Sequence, residues 1–388
     1  MSAARNVSAV VKSRLCCGCG ACEAVCPHAA VTIVEGRHYN SAQVNESACV
    51  QCGLCLQICP GALMRSGALQ TPAPSDGAIG YSLAWSNDDS NRRDAASGGL
   101  VTGLVRWLLD TGACDGAVLV AADENRPLHS RTTVATSGSQ VESARGSRYL
   151  PASACRGLKY ILSNPGNYVF VGKGCEVSAL RKAQERLPVL RDRVKLAIGL
   201  FCAQTPDRDR TGEFLRRHGV DPEDVTGIQF RGGGWPGYFT ATAGARVLLQ
   251  LPYRDAWDFL AAGTCALACF LCGDGRAANA DISVGDPWGM GKAGLAGQGM
   301  SFVAARTSAG REILSQAAAA GAIAVTSAPE DVMRRSEDKL SLRTADVCRR
   351  RYTYSTVFEF QRAFAGFVRG RAAGIRTIVR QRFNADYY

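Results

Sequence analysis

Histidine is scarce in this chain, four residues in 388 with none paired at metal-ligand spacing, which argues against a histidine-based metal enzyme. No apolar run approaches the ~18 residues of a membrane-spanning helix. The opening stretch MSAARNVSAVVKSRLC has no apolar core of the secretory kind, so a cytoplasmic location is expected. No G-x-G-x-x-G turn follows a first strand, and no GxxxxGK loop ending in Ser or Thr occurs, so standard dinucleotide and P-loop sites are unsupported. The formal charge is +11, yet no module interleaves basic and aromatic residues, so nucleic acid is not the expected partner.

What the chain has in excess is cysteine, seventeen residues, nine of them between positions 16 and 59. In a long chain without a signal this density points to metal or redox chemistry rather than to disulfides. The run CCGCGACEAVCP sets Cys16, Cys19, Cys22 and Cys26 at C-x2-C-x2-C-x3-C before Pro27. CVQCGLCLQICP repeats the spacing with Cys49, Cys52, Cys55 and Cys59 before Pro60. In this bacterial ferredoxin pattern the fourth cysteine of each run serves the other run's four-iron cluster. One site is therefore expected from Cys16, Cys19, Cys22 and Cys59, the second from Cys49, Cys52, Cys55 and Cys26. VTIVEG and YNSAQV, between the runs, read as short strands joined across Gly36. Cys17 is surplus to the pattern. Such a module moves electrons singly, so its partner for them is expected further along.

A Pro/Gly/Ser stretch at 71–77, TPAPSDG, reads as a linker. Beyond it helical patterns alternate with short apolar runs: GGLVTGLVRWLLDTG as a helix from near Ser97 to Gly112, then DGAVLVAA, NYVFVG and VKLAIGLFC as strands. This alternation predicts an α/β core. Two glycine-bearing junctions, at Ser97, Gly98 and Gly99 and at Gly172, Lys173, Gly174 and Cys175, open helices and have the form of anion cradles. GSRY (146–149) adds Ser147, Arg148 and Tyr149, groups suited to phosphate and ring contacts. In CALACFLC, Cys265, Cys269 and Cys272 lack a fourth neighbour, which fits either an open radical-enzyme cluster or a closed cluster completed from elsewhere. From Asp346 onward nine arginines face three acids, in a pattern expected to form a basic amphipathic helix.

Taken in order, ASGGLVTGLVRWLLDTGACDGAVLV, GSRY, GCEVSALRK, KLAIGLFC and CALACFLCGDGRAANADISVGDPWG resemble the motifs of the family of coenzyme F420 hydrogenase/dehydrogenase beta subunits. That family also contains chlorophyll-pathway reductases. The resemblance implies a mixed α/β (α+β) chain: a two-cluster ferredoxin module at 1–70, a non-Rossmann FAD-binding region at 71–200, an iron–sulfur domain at 201–345 and the basic tail at 346–388. Carried over by position, Ser97, Gly98, Gly99, Ser147, Arg148, Tyr149, Gly172, Gly174 and Cys175 are implied flavin contacts. Cys202 is implied to join Cys265, Cys269 and Cys272 on a third cluster.

Hydrogenase-type members read Gly-Thr-Pro-Cys-Gln where this chain has Gly172, Lys173, Gly174, Cys175 and Glu176. Lys173 and Glu176 are accordingly the candidate catalytic residues, and coenzyme F420 itself is in doubt as substrate. FRGGGWPG (230–237) and Trp288 in GDPWG resemble a branch associated with polysaccharide biosynthesis. The expected activity is an iron–sulfur flavoenzyme drawing electrons from ferredoxin or another low-potential protein to reduce a small-molecule substrate. The alternatives are an F420-dependent oxidoreductase or an electron-transfer subunit of a larger complex, and a homo-oligomer stays open.

Overall fold

The computed structural model describes residues 5–65, 78–263, 265–288 and 299–328. The stretch at 71–77 and the basic tail at 346–388 lie outside the described residues.

Val31–Glu35 (β1) and Asn40–Val44 (β2) form an antiparallel hairpin closed by the Gly36 N–H donating to the Tyr39 carbonyl at 3.1 Å. Eight further strands build one large sheet: Gly80–Ser86 (β3), Gly116–Ala122 (β4), Ser130–Ala135 (β5), Tyr168–Lys173 (β6), Val194–Leu200 (β7), and, past a three-stranded insertion of Gly227–Gln229 (β8), Tyr238–Ala243 (β9) and Arg246–Pro252 (β10), Ile282–Gly285 (β11), Ser301–Ala305 (β12) and Ile323–Ser327 (β13). The order is β13-β3-β12-β11-β7-β6-β4-β5. Strands β4, β6, β7 and β11 run parallel in the middle, and antiparallel strands complete both sides. The sheet continues without a break across residue 200, since β11, β12 and β13 lie in it with β3 to β7.

Period-two alternation decides what each face packs against. On β4 and β6, Ala117, Leu119, Val169 and Val171 join Leu104, Leu108 and Leu314 of the helices Leu100–Asp110 and Ser308–Ala319. Val118 and Phe170 point the other way, to Leu158, Ile161, Val177 and Leu180 of the helices Leu158–Ser163 and Gly174–Arg186. That second face also receives Cys19, Ala21, Ala24, Val25 and Ile58 of the cysteine-rich module. Ile58 is fully buried, worth roughly 1.5–3 kcal/mol for such a side chain. The module is thus one layer of the main core.

Hydrogen bonds fix its seat. The Cys155 N–H donates to the Cys19 carbonyl at 2.9 Å, and the Ser153 hydroxyl to the Gly18 carbonyl at 2.6 Å. Arg208 donates to the Asn40 side chain at 2.8 Å and to the Gly36 carbonyl. Arg208 begins the helix Arg208–Arg217, which with Tyr253–Ala261 packs on the β8–β9–β10 insertion around Phe214, Phe230 and Phe239.

The helix expected from near Ser97 starts at Leu100 instead. The Ser97 hydroxyl donates to the Met300 carbonyl at 2.5 Å, and the Gly98 N–H to the Ser301 hydroxyl at 3.3 Å. Those bonds tie residues 97 and 98 to the start of β12, so helical bonding begins at the Gly99 carbonyl, which accepts from the Gly103 N–H.

Candidate functional site: three thiol clusters and an adjoining cavity

The two ferredoxin-type runs fold as near copies. In each, a glycine in left-handed conformation, Gly20 or Gly53, starts a one-turn helix that carries the third cysteine, Cys22 or Cys55. The crossed arrangement expected from spacing is what the hairpin brings about. Cys59 lines one small cavity with Cys16, Cys19 and Cys22, and Cys26 lines another with Cys49, Cys52 and Cys55. Burial pushes up the Cys16, Cys22, Cys55 and Cys59 thiols, the last to about 12. Thiols held this far from ionisation need a cation to release their protons, which iron supplies. The two sites differ in setting: Cys16, Cys19 and Cys22 are buried, whereas Cys52 is exposed beside Val50, which is 59% exposed.

A third cavity lies where the module meets the large sheet. Cys175, Cys202, Cys269 and Cys272 line it, with Cys17, Met64 and Lys173. Cys202 reaches it because β7 ends at Leu200, and its N–H donates to the Gly275 carbonyl at 2.8 Å. Cys269 and Cys272 straddle the end of the short helix Leu267–Phe270, the Cys272 N–H donating to the Cys269 carbonyl at 3.2 Å. Cys265 precedes that helix, pairs through its backbone with Pro206, and is not among the residues lining the cavity. Burial raises Cys202, and raises Cys272 to about 12. Cys17, which spacing left without a role, is in side-chain hydrogen-bond contact with both Cys175 and Cys19.

Beyond a shared wall lies the large cavity, about 290 Å³. Lys173, Cys202, Ala203, Gln204 and Thr205 line both spaces. Of the implied flavin contacts, Ser97, Gly99, Ser147, Arg148, Tyr149 and Gly172 line the large cavity. Gly174 and Cys175 face the thiol cavity instead, and Gly98 is pressed between Ala84 and Ser301. The Arg148 guanidinium is the notable polar group. Its Nε is buried without a hydrogen-bond partner, its other nitrogens reach only the Ser147 and Arg145 carbonyls at 3.4 Å, and burial pulls its pKa down. A half-buried cation with a buried, unbonded Nε and no carboxylate partner among the described residues suits an anionic ligand group such as a phosphate.

The two candidate catalytic residues are tied to each other. Glu176 is 2% exposed, accepts the Lys173 N–H at 2.8 Å, and lies 3.3 Å from the Lys173 ammonium. Burial works against the ammonium, but Glu176 and the surrounding thiols outweigh it and raise its pKa. Lys173 is therefore a fixed positive charge in the wall between the cavities, and Glu176 its counter-ion and the cap of the helix Gly174–Arg186.

Spacing did not single out the outer flank of the large cavity. Arg231, 2% exposed on its side chain, pairs with Asp286 at 2.7 and 3.0 Å. It lies over the rings of Tyr253 and Trp288 at 4.5 and 5.5 Å. Trp235 donates to Asp286 at 3.0 Å, and Tyr149 packs on Trp257 at 4.8 Å between centroids. The one local signal was the oddity of FRGGGWPG and GDPWG; nothing within either stretch says that they meet.

Residues 15–62 match the 4Fe-4S dicluster domain. Residues 81–159 match the N-terminal part, and 166–331 the C-terminal part, of the coenzyme F420 hydrogenase/dehydrogenase beta subunit. A subunit of the F(420)H(2) dehydrogenase of Methanosarcina mazei is 27% identical over 293 residues, 72% of this chain and 78% of that protein. The beta subunit of coenzyme F420 hydrogenase of Methanothermobacter thermautotrophicus is 28% identical over 244 residues, 61% of this chain and 80% of that one. Coenzyme F420-dependent sulfite reductase of Methanocaldococcus jannaschii is 24% identical over 294 residues, but the match spans only 43% of it. A chain of the F420-reducing NiFe hydrogenase complex from Methanosarcina barkeri shares the fold, with a TM-score of 0.57 at 23% identity over 72% of this chain and 94% of that one. The open eight-stranded sheet and these matches set aside the radical-enzyme reading of CALACFLC. No helix among the described residues is long and apolar enough to cross a membrane. The chain belongs to the family of coenzyme F420 hydrogenase/dehydrogenase beta subunits and carries in front of that region a 4Fe-4S dicluster domain.

Proposed function

We propose that this chain is an iron–sulfur flavoprotein oxidoreductase that takes single electrons from a low-potential donor of the ferredoxin type and reduces an organic substrate by two electrons. The observation that carries this reading is the wall of Lys173 and residues 202–205 shared by the thiol cavity and the large cavity. A redox centre held by Cys202, Cys269 and Cys272 would adjoin whatever fills the large cavity. Flavin, when bound, supplies the conversion between one-electron and two-electron transfer.

The chain's own residues fit such a cofactor. Arg148 offers a half-buried guanidinium with no carboxylate partner among the described residues to an FAD phosphate, and Ser97, Gly99, Ser147 and Gly172 supply a small-residue, partly polar lining. Tyr149 and Trp257 offer ring faces, and the fixed ammonium of Lys173 favours negative charge on either side of its wall. Cys16, Cys19, Cys22 and Cys59, and Cys49, Cys52, Cys55 and Cys26, hold the two ferredoxin-type clusters. The exposed surface at Val50 and Cys52 faces the donor. The substrate is met at the flank of Arg231 and Asp286, and the resemblance of their two stretches favours a role in polysaccharide biosynthesis over reduction of F420.

Anaerobic purification with determination of iron, sulfide and flavin tests the reading: about twelve iron atoms, at four per cluster, and one FAD per chain are expected. Protein that binds no flavin when supplied with FAD overturns it. Two of the relatives are subunits by name, which favours a second reading, an electron-transfer subunit without a substrate of its own. Turnover of an organic acceptor by the isolated chain with an artificial reductant decides against that one.

A further inference from the structure

We infer that the side chain of Asn6 sets the reduction potential of the second ferredoxin-type site, that of Cys49, Cys52, Cys55 and Cys26. The inference rests on the 4Fe-4S dicluster domain alone and is independent of flavin, of the substrate and of a third cluster. Asn6 lies ahead of residues 15–62, which match that domain, so the cysteine pattern does not include it. It is 1% exposed. Its Nδ2 donates to the Glu46 carboxylate at 3.1 Å and to the Cys49 sulfur at 3.6 Å, across 43 positions of the chain.

Hydrogen bonding fixes which end of the amide faces the sulfur. The Ser8 backbone N–H can only donate, and it bonds Asn6 Oδ1 at 2.9 Å; the Ser8 hydroxyl adds a second bond at 2.6 Å. With the oxygen so engaged, both N–H groups of the amide are left for Glu46 and Cys49. The next residue, Val7, is 2% exposed and its backbone is in hydrogen-bond contact with Cys55. The Val7 carbonyl in turn accepts the Val10 and Val11 N–H groups at 2.9 and 3.1 Å, which ties the segment to the helix Ser8–Lys12. One short segment thus reaches two sulfurs of the second site.

One-electron reduction adds a negative charge that the ligand sulfurs share, so a donor aimed at a sulfur favours the reduced state. At the first site Cys19 meets the thiols of Cys17 and Cys155, and a thiol is a weak donor. Water adds to the difference, because Cys52 is exposed whereas Cys16, Cys19 and Cys22 are buried. Amide and solvent act in the same direction. An electron that arrives at the surface is held more firmly at the second site than at the first.

The test is an EPR-monitored redox titration of the full chain and of Asn6→Leu, both purified anaerobically, with dithionite as the electron source and iron and sulfide counted in each. Equal iron is expected in the two proteins. One midpoint potential is expected to fall in Asn6→Leu, by about fivefold in the reduction equilibrium, or roughly 40 mV at 59 mV per tenfold. The signal that shifts is expected to be the one that a dissolved paramagnetic ion relaxes fastest, since Cys52 lies at the surface. Unchanged potentials at equal iron overturn the inference, as does a shift confined to the shielded signals. Should Asn6→Leu lose iron, Asn6→Asp decides, because it keeps the bonds from Ser8 and drops the amide donor. A lowered potential at full iron in that variant supports the tuning role, and an unchanged potential or a second loss of iron overturns it.

Discussion

Gly20 and Gly53 occupy the same place in two copies of one motif, each starting the helical turn that carries the third cysteine, at φ +88° and +79°. Alanine at either position meets the left-handed penalty, roughly 1–2 kcal/mol. There the equivalence ends. A Cβ on Gly53 has nothing closer than the Arg5 carbonyl at 3.7 Å, whereas one on Gly20 would lie 2.6 Å from Arg156 Cγ, 3.0 Å from the Arg156 nitrogen and 3.2 Å from the Ser153 carbonyl. The Arg156 side chain can swing away; the backbone atoms at the end of the Ala154–Gly157 seam cannot move without lifting the module from the sheet. Overpacking of this kind adds about 1–3 kcal/mol. That extra cost falls on the contact carrying the Cys155 N–H to Cys19 carbonyl bond. Native-state hydrogen exchange of the Cys155 amide, followed in a peptide spanning 150–157, reports the opening directly. Gly20→Ala is expected to speed exchange there by roughly 5- to 150-fold relative to Gly53→Ala, at tenfold per 1.4 kcal/mol. Equal exchange in the two variants would refute the claim that docking, rather than the motif, makes Gly20 indispensable.

Cys17→Ala is expected to keep full iron and to lower the potential of the third centre. It removes a hydrogen bond to Cys175 of about 1 kcal/mol, or roughly 40 mV for one electron, read by EPR-monitored redox titration; an unchanged potential contradicts the sulfur contact. Arg148→Ala is expected to weaken FAD retention by about 10- to 150-fold, the value of a charge-assisted bond of roughly 1.5–3 kcal/mol, measured by equilibrium dialysis. Because the guanidinium has no carboxylate partner among the described residues to strand, thermal stability of that variant without flavin should not fall. Arg231→Met leaves the half-buried Asp286 carboxylate with the Trp235 N–H but without its counter-charge and is expected to cost about 3 kcal/mol, seen as a lowered unfolding temperature; a silent substitution would mean that the pair does not hold the aromatic flank. Burial disfavours ionised Glu35, but Arg126 and His129 outweigh this and lower its pKa, so its contribution to docking is present above the ordinary carboxylate range and lost as the pH falls through its depressed value. Glu35→Gln should reduce the loss of Cys155 exchange protection between pH 6 and about pH 3, below the ordinary carboxylate range, after correction for intrinsic rates.

Eight cysteine positions at fixed spacing carry enough chemistry to name two cluster sites and their crossed ligation, because the tight loops between them permit little else. Strands β4, β6 and β7 were legible for a similar local reason. They are short apolar runs buried on both faces, and the residues that divide between the two cores alternate along them. The start of the helix Leu100–Asp110 lies three residues beyond the expected position. Ser97 and Gly98 commit their hydrogen bonds to Met300 and Ser301, some two hundred residues away.

The third site shows where reading along the chain stops. Its thiols come from a helix start, a strand end and a loop, and the spacing of CALACFLC includes Cys265, which the fold sets outside the cavity. Cys17 had no role by spacing and acquires one only because the module docks against the layer that holds the helix Gly174–Arg186 and its Cys175. Arg231 and Asp286 are 55 residues apart and meet because the β8–β9–β10 insertion folds over the edge of the large cavity. The sequence by itself determined the kinds of chemistry, iron held by thiols and an α/β sheet beside it, since short-range spacing and alternation are local properties. Which thiols share a cavity, which cation stands unpaired in another, and which of two equivalent glycines is irreplaceable were decided by tertiary packing, because each depends on atoms brought together from distant parts of the chain.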